Sequence, residues 1–166
     1  MRTDHYFDSH GAGKIHYCRW LPDGEPKAVL QIVHGIAEFV ERYDDFANFL
    51  TSQGFLVVAE DHMGHGQSIN GDGIQGYFHG GWFNAVADTY TLLTQTKAEY
   101  PEIPYILFGH SMGSFMARTI LCKYPDAGIL TDEPITSNKQ LLEVLRSGNY
   151  ELIRDENTRN KCIEDM

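Results

Sequence analysis

A serine between two glycines is the residue of this chain best suited to nucleophilic chemistry. Residues 109–113 read Gly-His-Ser-Met-Gly, a G-x-S-x-G pattern that lies between an apolar run and a predicted helix. A serine nucleophile in this context sits on a tight strand-to-helix turn, where the flanking glycines leave room for neighbouring backbone. The pattern predicts that Ser111 is a catalytic nucleophile supported by Gly109, His110 and Gly113. The alternative interpretation is a tight turn that happens to contain a serine.

A second short pattern, His-Gly-Ile-Ala-Glu at residues 34–38, follows an earlier apolar run. Ester hydrolysis through a serine needs two backbone N–H groups that converge on the carbonyl oxygen of the substrate. One donor follows the nucleophile and is here Met112; the other comes from the loop after an earlier strand and is by spacing Ile36. We expect His34 and Gly35 to shape that loop, although taken alone the same residues would suit an ordinary turn.

Alternating strand and helix patterns must hold these two loops together. Residues 5–21 predict two short strands around a glycine turn. Apolar runs typical of strands buried on both faces of a parallel sheet lie at residues 28–33, 55–59 and 105–108. Helical spacing occurs at residues 42–53, 82–100 and 111–124. We expect the third helix to bury Phe115, Met116 and Ile120. Because strands and helices alternate, the chain predicts an α/β fold with a parallel sheet.

Composition and charge narrow the class of protein. The 166 residues are 42% hydrophobic, which is enough for one compact domain, and the net charge of −10 disfavours nucleic acid as a partner. The three cysteines, Cys18, Cys122 and Cys162, are far apart and odd in number. Their spacing predicts no disulfide framework and no metal site, and reduced thiols favour the cytoplasm. No cofactor is expected. No apolar run is long enough to span a bilayer, so any contact with lipid is expected to be peripheral.

Several motifs in register resemble the lysophospholipase and monoacylglycerol lipase branch of the α/β-hydrolases, grouped with the serine aminopeptidase S33-type hydrolases. The resemblance covers roughly residues 5–127 and rests on residues 34–38, 41–43, 61–68, 76–78 and 109–113. It implies a mostly parallel sheet with helices on both faces and a strand order that begins 1-2-4-3-5. It also implies hydrolysis of carboxylic esters, in particular small lipid esters such as lysophospholipids or monoacylglycerols. Ser111 would be the nucleophile, with Ile36 and Met112 as oxyanion donors.

The position of the histidines departs from that family. Its members place the triad acid and histidine after the nucleophile, whereas all eight histidines here precede Ser111. We expect His110 to project away from the Ser111 hydroxyl, because neighbours on a tight turn point apart. We expect the histidines of the two other loops, His34, His62 and His65, to hold backbone by hydrogen bonds. The remaining histidines are expected at the surface: His5, His10, His16 and His79.

Residues 1–128 therefore predict the N-terminal part of an α/β-hydrolase domain, truncated after the nucleophile helix. Beyond residue 128 charged residues become denser and Tyr150 is the only aromatic, so residues 129–166 predict a short charged helical tail. An uncovered sheet edge would favour self-association. Two functions stay open: a serine ester hydrolase whose missing half is lost or supplied by another chain, and an inactive remnant that acts as an interaction module. A frameshifted or recombined product is a third interpretation.

Overall fold

Strands and helices alternate along the chain as the sequence predicts. The structure is a computed structural model that describes residues 1–69 and 73–127. Its strands are β1 (Arg2–Asp8), β2 (Lys14–Trp20), β3 (Ala28–Val33), β4 (Phe55–Glu60) and β5 (Tyr105–Gly109). Its α-helices are α1 (Asp44–Ser52), α2 (Trp82–Glu99) and α3 (Met112–Lys123), and short 3₁₀ turns occupy Val40–Tyr43 and Gly66–Ser68. The predicted tail at residues 129–166, and the boundary at residue 128, lie outside the described residues.

The five described strands form one mixed sheet in the order β1-β2-β4-β3-β5, which is the predicted order. β3 pairs in parallel with both β4 and β5, and the antiparallel β1–β2 hairpin joins β4 through β2. The register places Val33, the last residue of β3, opposite Gly109, the last residue of β5. Because parallel strands end at the same edge of a sheet, the two loops that carry the predicted chemistry leave the sheet side by side.

The apolar runs fill both faces of this sheet. In β3, Val29 and Val33 pack with residues of α2 and α3, whereas Leu30 and Ile32 pack on the opposite face with α1. β4 alternates in the same way, which explains why these runs lack the polar positions of a strand with one exposed face. The predicted α/β fold with helices on both faces is therefore confirmed for the part of the chain that the structure describes.

One expected core residue of α3 is exposed. Met116 and Ile120 are buried as expected, but 60% of Phe115 is exposed. Residues four apart share a helix face, whereas adjacent residues point about 100° apart. The helix therefore buries the stripe through Met116 and Ile120 and turns Phe115 towards solvent. In the described ranges no helix has the length and apolar character needed to cross a membrane.

Candidate active site

The chain turns sharply at Ser111, between β5 and α3. Ser111 has φ 53° and ψ −118°, so its backbone lies on the left-handed side that side-chain-bearing residues rarely adopt. This backbone conformation raises the free energy of the folded state by about 1–3 kcal/mol, and it persists only because the surrounding structure enforces it. The turn leaves the serine exposed at the start of α3. A nucleophile that must meet a substrate needs this position.

Two glycines make the turn sterically possible. A Cβ on Gly113 would collide with the backbone carbonyl groups of Val33 and His34, so α3 can begin directly against the end of β3 only if this position has no side chain. A Cβ on Gly109 would lie 2.7 Å from the Cα of Ser114. The spacing of the G-x-S-x-G pattern is thus explained by the close approach of the first turn of α3 to two strands.

The loop after β3 lies against this turn. A Cβ on Gly35 would lie 3.0 Å from the Cβ of Ser111, so the backbone of the loop and the serine are in direct contact. Ala37 has φ 58°, and 67% of Ile36 is exposed. The loop is therefore a tight, partly strained turn whose apolar tip faces outward beside the serine.

Glu38 joins the two loops. Its Oε2 accepts three hydrogen bonds: from Gly35 N–H at 2.7 Å, from the Tyr43 hydroxyl at 2.9 Å and from His110 Nδ1–H at 2.8 Å. Burial acts to raise the pKa of Glu38, but these hydrogen bonds, led by that from His110, outweigh it and hold the pKa below its usual value. An ionised Glu38 thus ties the loop after β3 to the residue that precedes Ser111.

The backbone amides around the turn divide into two groups. Gly113 N–H donates to the His110 carbonyl at 2.9 Å, and Ser114 N–H donates to the Ser111 carbonyl at 3.0 Å. Within residues 1–69 and 73–127, no backbone carbonyl accepts the N–H of Met112 or of Ile36. Amides that have no backbone acceptor beside an exposed serine can donate to a developing oxyanion.

Buried histidines support the loop after β3 from below. His62 N–H donates to His34 Nε2 at 3.0 Å, so that nitrogen carries no proton and His34 Nδ1–H donates to the Gly35 carbonyl at 2.8 Å. His62 Nε2–H donates in turn to the His34 carbonyl at 3.0 Å. His65 Nδ1–H donates to the Met63 carbonyl at 3.1 Å. The expectation that these three histidines hold backbone is confirmed.

A family model described as "Serine aminopeptidase, S33" matches residues 24–144, which include both loops of the site. The chain belongs to this family. The monoglyceride lipase of Homo sapiens is 35% identical over 126 residues, which are 74% of this chain and 40% of that protein. The monoacylglycerol lipase of Mycolicibacterium smegmatis is 35% identical over 124 residues, 75% of this chain and 43% of that protein. The chain thus spans about two fifths of the length of these curated relatives.

Solved structures of esterases and lipases share the fold. A thermostable carboxyl esterase from Bacillus coagulans superposes with a TM-score of 0.72 at 29% identity, covering 88% of this chain and 49% of the esterase. A structure titled "Lipase (Open form)" gives a TM-score of 0.71 at 25% identity, covering 99% of this chain and 57% of the lipase. Both are similar to this chain over roughly half of their own length.

In this S33-family chain, the histidines near Ser111 form hydrogen bonds to other groups. His110 precedes the serine directly, yet its Nδ1–H donates to Glu38. His34 and His62 are buried and bound to each other's backbone. No histidine follows position 110 in the sequence. The described residues therefore provide an exposed serine and adjacent amides, and each of these three histidines has another partner.

One histidine prediction was wrong. His16, expected at the surface, is completely buried, and its Nδ1–H donates to Asp61 at 2.8 Å. Asp61 also accepts the backbone N–H groups of Val40 and Gln67 at 2.8 and 2.9 Å. The glycine-rich loop that begins at Asp61 covers this face of β2, so the strand is buried where alternation predicts a solvent face. The only sequence signal is Asp61, which follows a buried strand and opens the motif at residues 61–68, but its position does not indicate that His16 is its partner.

Proposed function

We propose that this S33-family chain provides the nucleophile and the oxyanion donors of a carboxylic-ester hydrolase. The observation that carries the proposal is the left-handed backbone of Ser111, which exposes the serine in contact with Gly35. In this proposal Ser111 Oγ attacks the ester carbonyl, and the N–H groups of Ile36 and Met112 donate to the oxyanion. Each such donor typically contributes about 10²–10³ in rate.

The rate of hydrolysis depends on a base that accepts the proton of the Ser111 hydroxyl. Attack by Ser111 forms a C–O bond and requires a base to accept that proton, after which the alcohol leaves and water hydrolyses the acyl-serine. This chain has no histidine after position 110. Where a triad member is missing, binding and the oxyanion donors alone give about 10³–10⁴ over water. We propose slow acylation by residues 1–166 alone and faster turnover when an acid and a histidine are supplied to Ser111.

Two observations support a proposed substrate class: the apolar side chains on the site segments and the names of the relatives. Exposed apolar side chains lie on both segments that carry the site, with Ile36 67%, Phe39 42% and Phe115 60% exposed. Such side chains suit the acyl chain of a small lipid ester, a monoacylglycerol or a lysophospholipid, and peripheral contact with a lipid surface. Relatives at 35% identity carry the names monoglyceride lipase and monoacylglycerol lipase, which supports the same class.

Reaction with a fluorophosphonate probe tests the proposal. We expect the probe to label the peptide that contains Ser111, as read by mass, and Ser111→Ala to abolish the label. Ser52→Ala, which removes an exposed serine at the end of α1, is the matched control and should leave labelling unchanged. Hydrolysis of nitrophenyl esters and of a monoacylglycerol should exceed that of Ser111→Ala by a modest factor.

A second candidate function is an interaction module without catalysis. It is favoured by the hydrogen bonds around Ser111: within residues 1–69 and 73–127 no histidine binds the serine hydroxyl, and His110, its neighbour, donates Nδ1–H to Glu38 instead. Absence of labelling at Ser111 in a folded protein, with ester hydrolysis equal to that of Ser111→Ala, would support this function and reject the hydrolase for this chain.

A further inference from the structure

Three side chains with metal-binding atoms meet on the β1–β2 hairpin, far in sequence from Ser111. They are Asp4, His16 and Cys18, here called the hairpin cluster. Asp4 and Cys18 lie directly opposite each other in the antiparallel register. His16 lies two residues before Cys18, and residues two apart in a strand point to the same face. The hairpin itself therefore brings the carboxylate, the imidazole and the thiol together.

The distances within the hairpin cluster are those of one face of a tetrahedron. His16 Nε2 and Asp4 Oδ1 are 3.0 Å apart, Cys18 Sγ and Asp4 Oδ1 are 3.3 Å apart, and Cys18 Sγ and His16 Nε2 are 3.7 Å apart. Metal–ligand bonds of about 2.0–2.3 Å place neighbouring ligand atoms of tetrahedral Zn²⁺ about 3.3–3.5 Å apart. Shifts of a few tenths of an ångström would accommodate the ion.

The second nitrogen of His16 supplies an independent indication. His16 Nδ1–H donates to the buried carboxylate of Asp61 at 2.8 Å, which leaves Nε2 directed at the cluster. Asp61 is held in place by backbone N–H groups of Val40 and Gln67. A histidine that ligates a metal usually donates its other ring N–H to a carboxylate in this way, which sets both the tautomer and the orientation of the ring.

Charge and access also suit a divalent cation. His16 and Cys18 are buried, whereas 46% of the Asp4 side chain is exposed, so the cluster can be reached from solvent through Asp4. A thiolate and a carboxylate together neutralise a divalent ion. Arg2 binds the same Oδ1 of Asp4 at 2.8 Å and would compete, but Asp44 holds the guanidinium independently at 2.9 Å.

We propose that the hairpin cluster binds one divalent transition ion of the Zn²⁺ class. The ligands are the Cys18 thiolate, His16 Nε2 and an Asp4 carboxylate oxygen, and water fills the fourth position. Cys18 gives its thiol proton to solvent as the Sγ–metal bond forms. Thiolate and imidazole ligands favour Zn²⁺ over Mg²⁺ or Ca²⁺, which prefer oxygen. The ion would join β1 to β2 and, through His16 and Asp61, to the loop after β4.

Cobalt substitution tests the site without reference to enzymatic activity. The whole chain, kept reduced with a phosphine, is titrated with Co²⁺, and we expect a thiolate-to-cobalt charge-transfer band that saturates at one ion per chain. Cys18→Ser should abolish the band. Cys122→Ser, which removes a cysteine of α3, is the matched control and should leave it intact.

Two further variants keep the test informative if Cys18→Ser fails to fold. Asp4→Asn changes the most exposed ligand and should weaken Co²⁺ and Zn²⁺ binding at least tenfold while circular dichroism stays that of the parent. Asp61→Asn leaves all three ligands in place and should weaken binding about 10–100-fold. A charge-transfer band that does not depend on Cys18, unchanged affinity in Asp4→Asn, or no band at all would overturn the proposal.

Discussion

At the residue scale, Glu38 joins the two loops of the candidate site. One carboxylate oxygen accepts from the loop after β3, from Tyr43 and from His110, which lies 72 residues away in the sequence. A hydrogen bond to a charged acceptor contributes about 1.5–3 kcal/mol, more than one between neutral groups. The contact between Gly35 and Ser111 therefore rests on a charged group that the substrate itself need not touch.

We expect Glu38→Gln to destabilise the fold by about 1–3 kcal/mol, because an uncharged amide replaces an acceptor shared by three donors. Urea unfolding followed by tryptophan fluorescence measures the change. Glu102→Gln, at an exposed position between α2 and β5, is the control and should shift the free energy of unfolding by less than about 0.5 kcal/mol. Equal stabilities of the two variants would contradict a structural role for Glu38.

His34 gives the stability a pH dependence with a defined sign. Burial, reinforced by the neighbouring His62, lowers the pKa of His34 to about 3. In the unfolded chain a histidine titrates near about 6.5, so between these values the unfolded state binds a proton that the folded state does not. Stability should therefore be lost as the pH falls from about 6.5 towards 3, by up to about 1.4 kcal/mol per pH unit. Burial lowers the pKa of His65 too, which adds in the same direction.

Urea unfolding at several pH values between about 7.5 and 4.5 measures this slope. We expect His34→Asn to reduce it, because the amide oxygen can still accept the His62 N–H but does not titrate. Asn48→Gln, at an exposed position of α1, changes no titratable group and should keep the slope of the parent. A slope that His34→Asn leaves unchanged would show that other groups cause the acid sensitivity.

At the element scale, the junction between β3 and α3 depends on how closely two backbones can approach. Gly113 has no room for a side chain because carbonyl groups of Val33 and His34 occupy the space. Gly24 has the opposite properties: nothing lies near its Cβ position, but its φ is 90°. Substituting each glycine by alanine therefore tests one effect: the lack of space at Gly113 and the positive φ at Gly24.

We expect Gly113→Ala to destabilise the fold by about 3 kcal/mol or more, because backbone atoms cannot move aside without separating α3 from the sheet. Gly24→Ala should cost only about 1–2 kcal/mol, the cost of a left-handed backbone for an alanine. Thermal unfolding of both variants by circular dichroism measures the difference. If Gly24→Ala were the more damaging change, packing would not be the reason for glycine at position 113.

Most strands and helices could be predicted because their apolar patterns and terminating residues in the sequence agree with the packing of the folded chain. The predicted run at residues 28–33 matches β3, and the predicted helix at residues 82–100 ends within one residue of α2, where Pro101 follows. The buried faces of β2 could not be predicted in the same way. Burial of His16 depends on a loop 45 residues away in the sequence, whose Asp61 and Ser68 bind it.

The candidate site was predictable in its positions but not in its connections. The G-x-S-x-G pattern located Ser111, and the order of strands placed residues 34–38 beside it. The shared role of Glu38 could not be predicted, because its three donors lie at unrelated spacings and meet only in the folded chain. The hairpin cluster could not be predicted for the same reason, since Asp4 and Cys18 face each other on neighbouring strands.

At the scale of the whole molecule, β5 is the edge strand of the described sheet. His110 N–H donates to β3, and the Pro104 carbonyl accepts from β3, so alternate residues from 104 to 110 direct their backbone groups to that partner. The backbone groups of Leu107 therefore point away from β3, to the side where residues 1–69 and 73–127 provide no partner strand. Unpaired strand edges favour pairing with another chain.

We expect the chain to self-associate through β5. Hydrogen exchange at the Leu107 amide should slow as the protein concentration rises, whereas the Phe108 amide, which faces β3, should be protected at every concentration. Light scattering should show the matching increase in mass. A monomer of constant mass, or a Leu107 amide equally protected at all concentrations, would mean that the edge is not used in this way.

The backbone of Ser111 also bears on the history of the chain. A left-handed backbone is strained for serine but not for glycine. Mutation and drift would therefore replace Ser111 once nothing selects for its hydroxyl. Sequencing position 111 in populations that carry the gene would therefore report on present selection. If serine is retained although glycine would relieve the strain, the hydroxyl is still under selection. Frequent replacement of Ser111 would indicate that its chemical role has been lost.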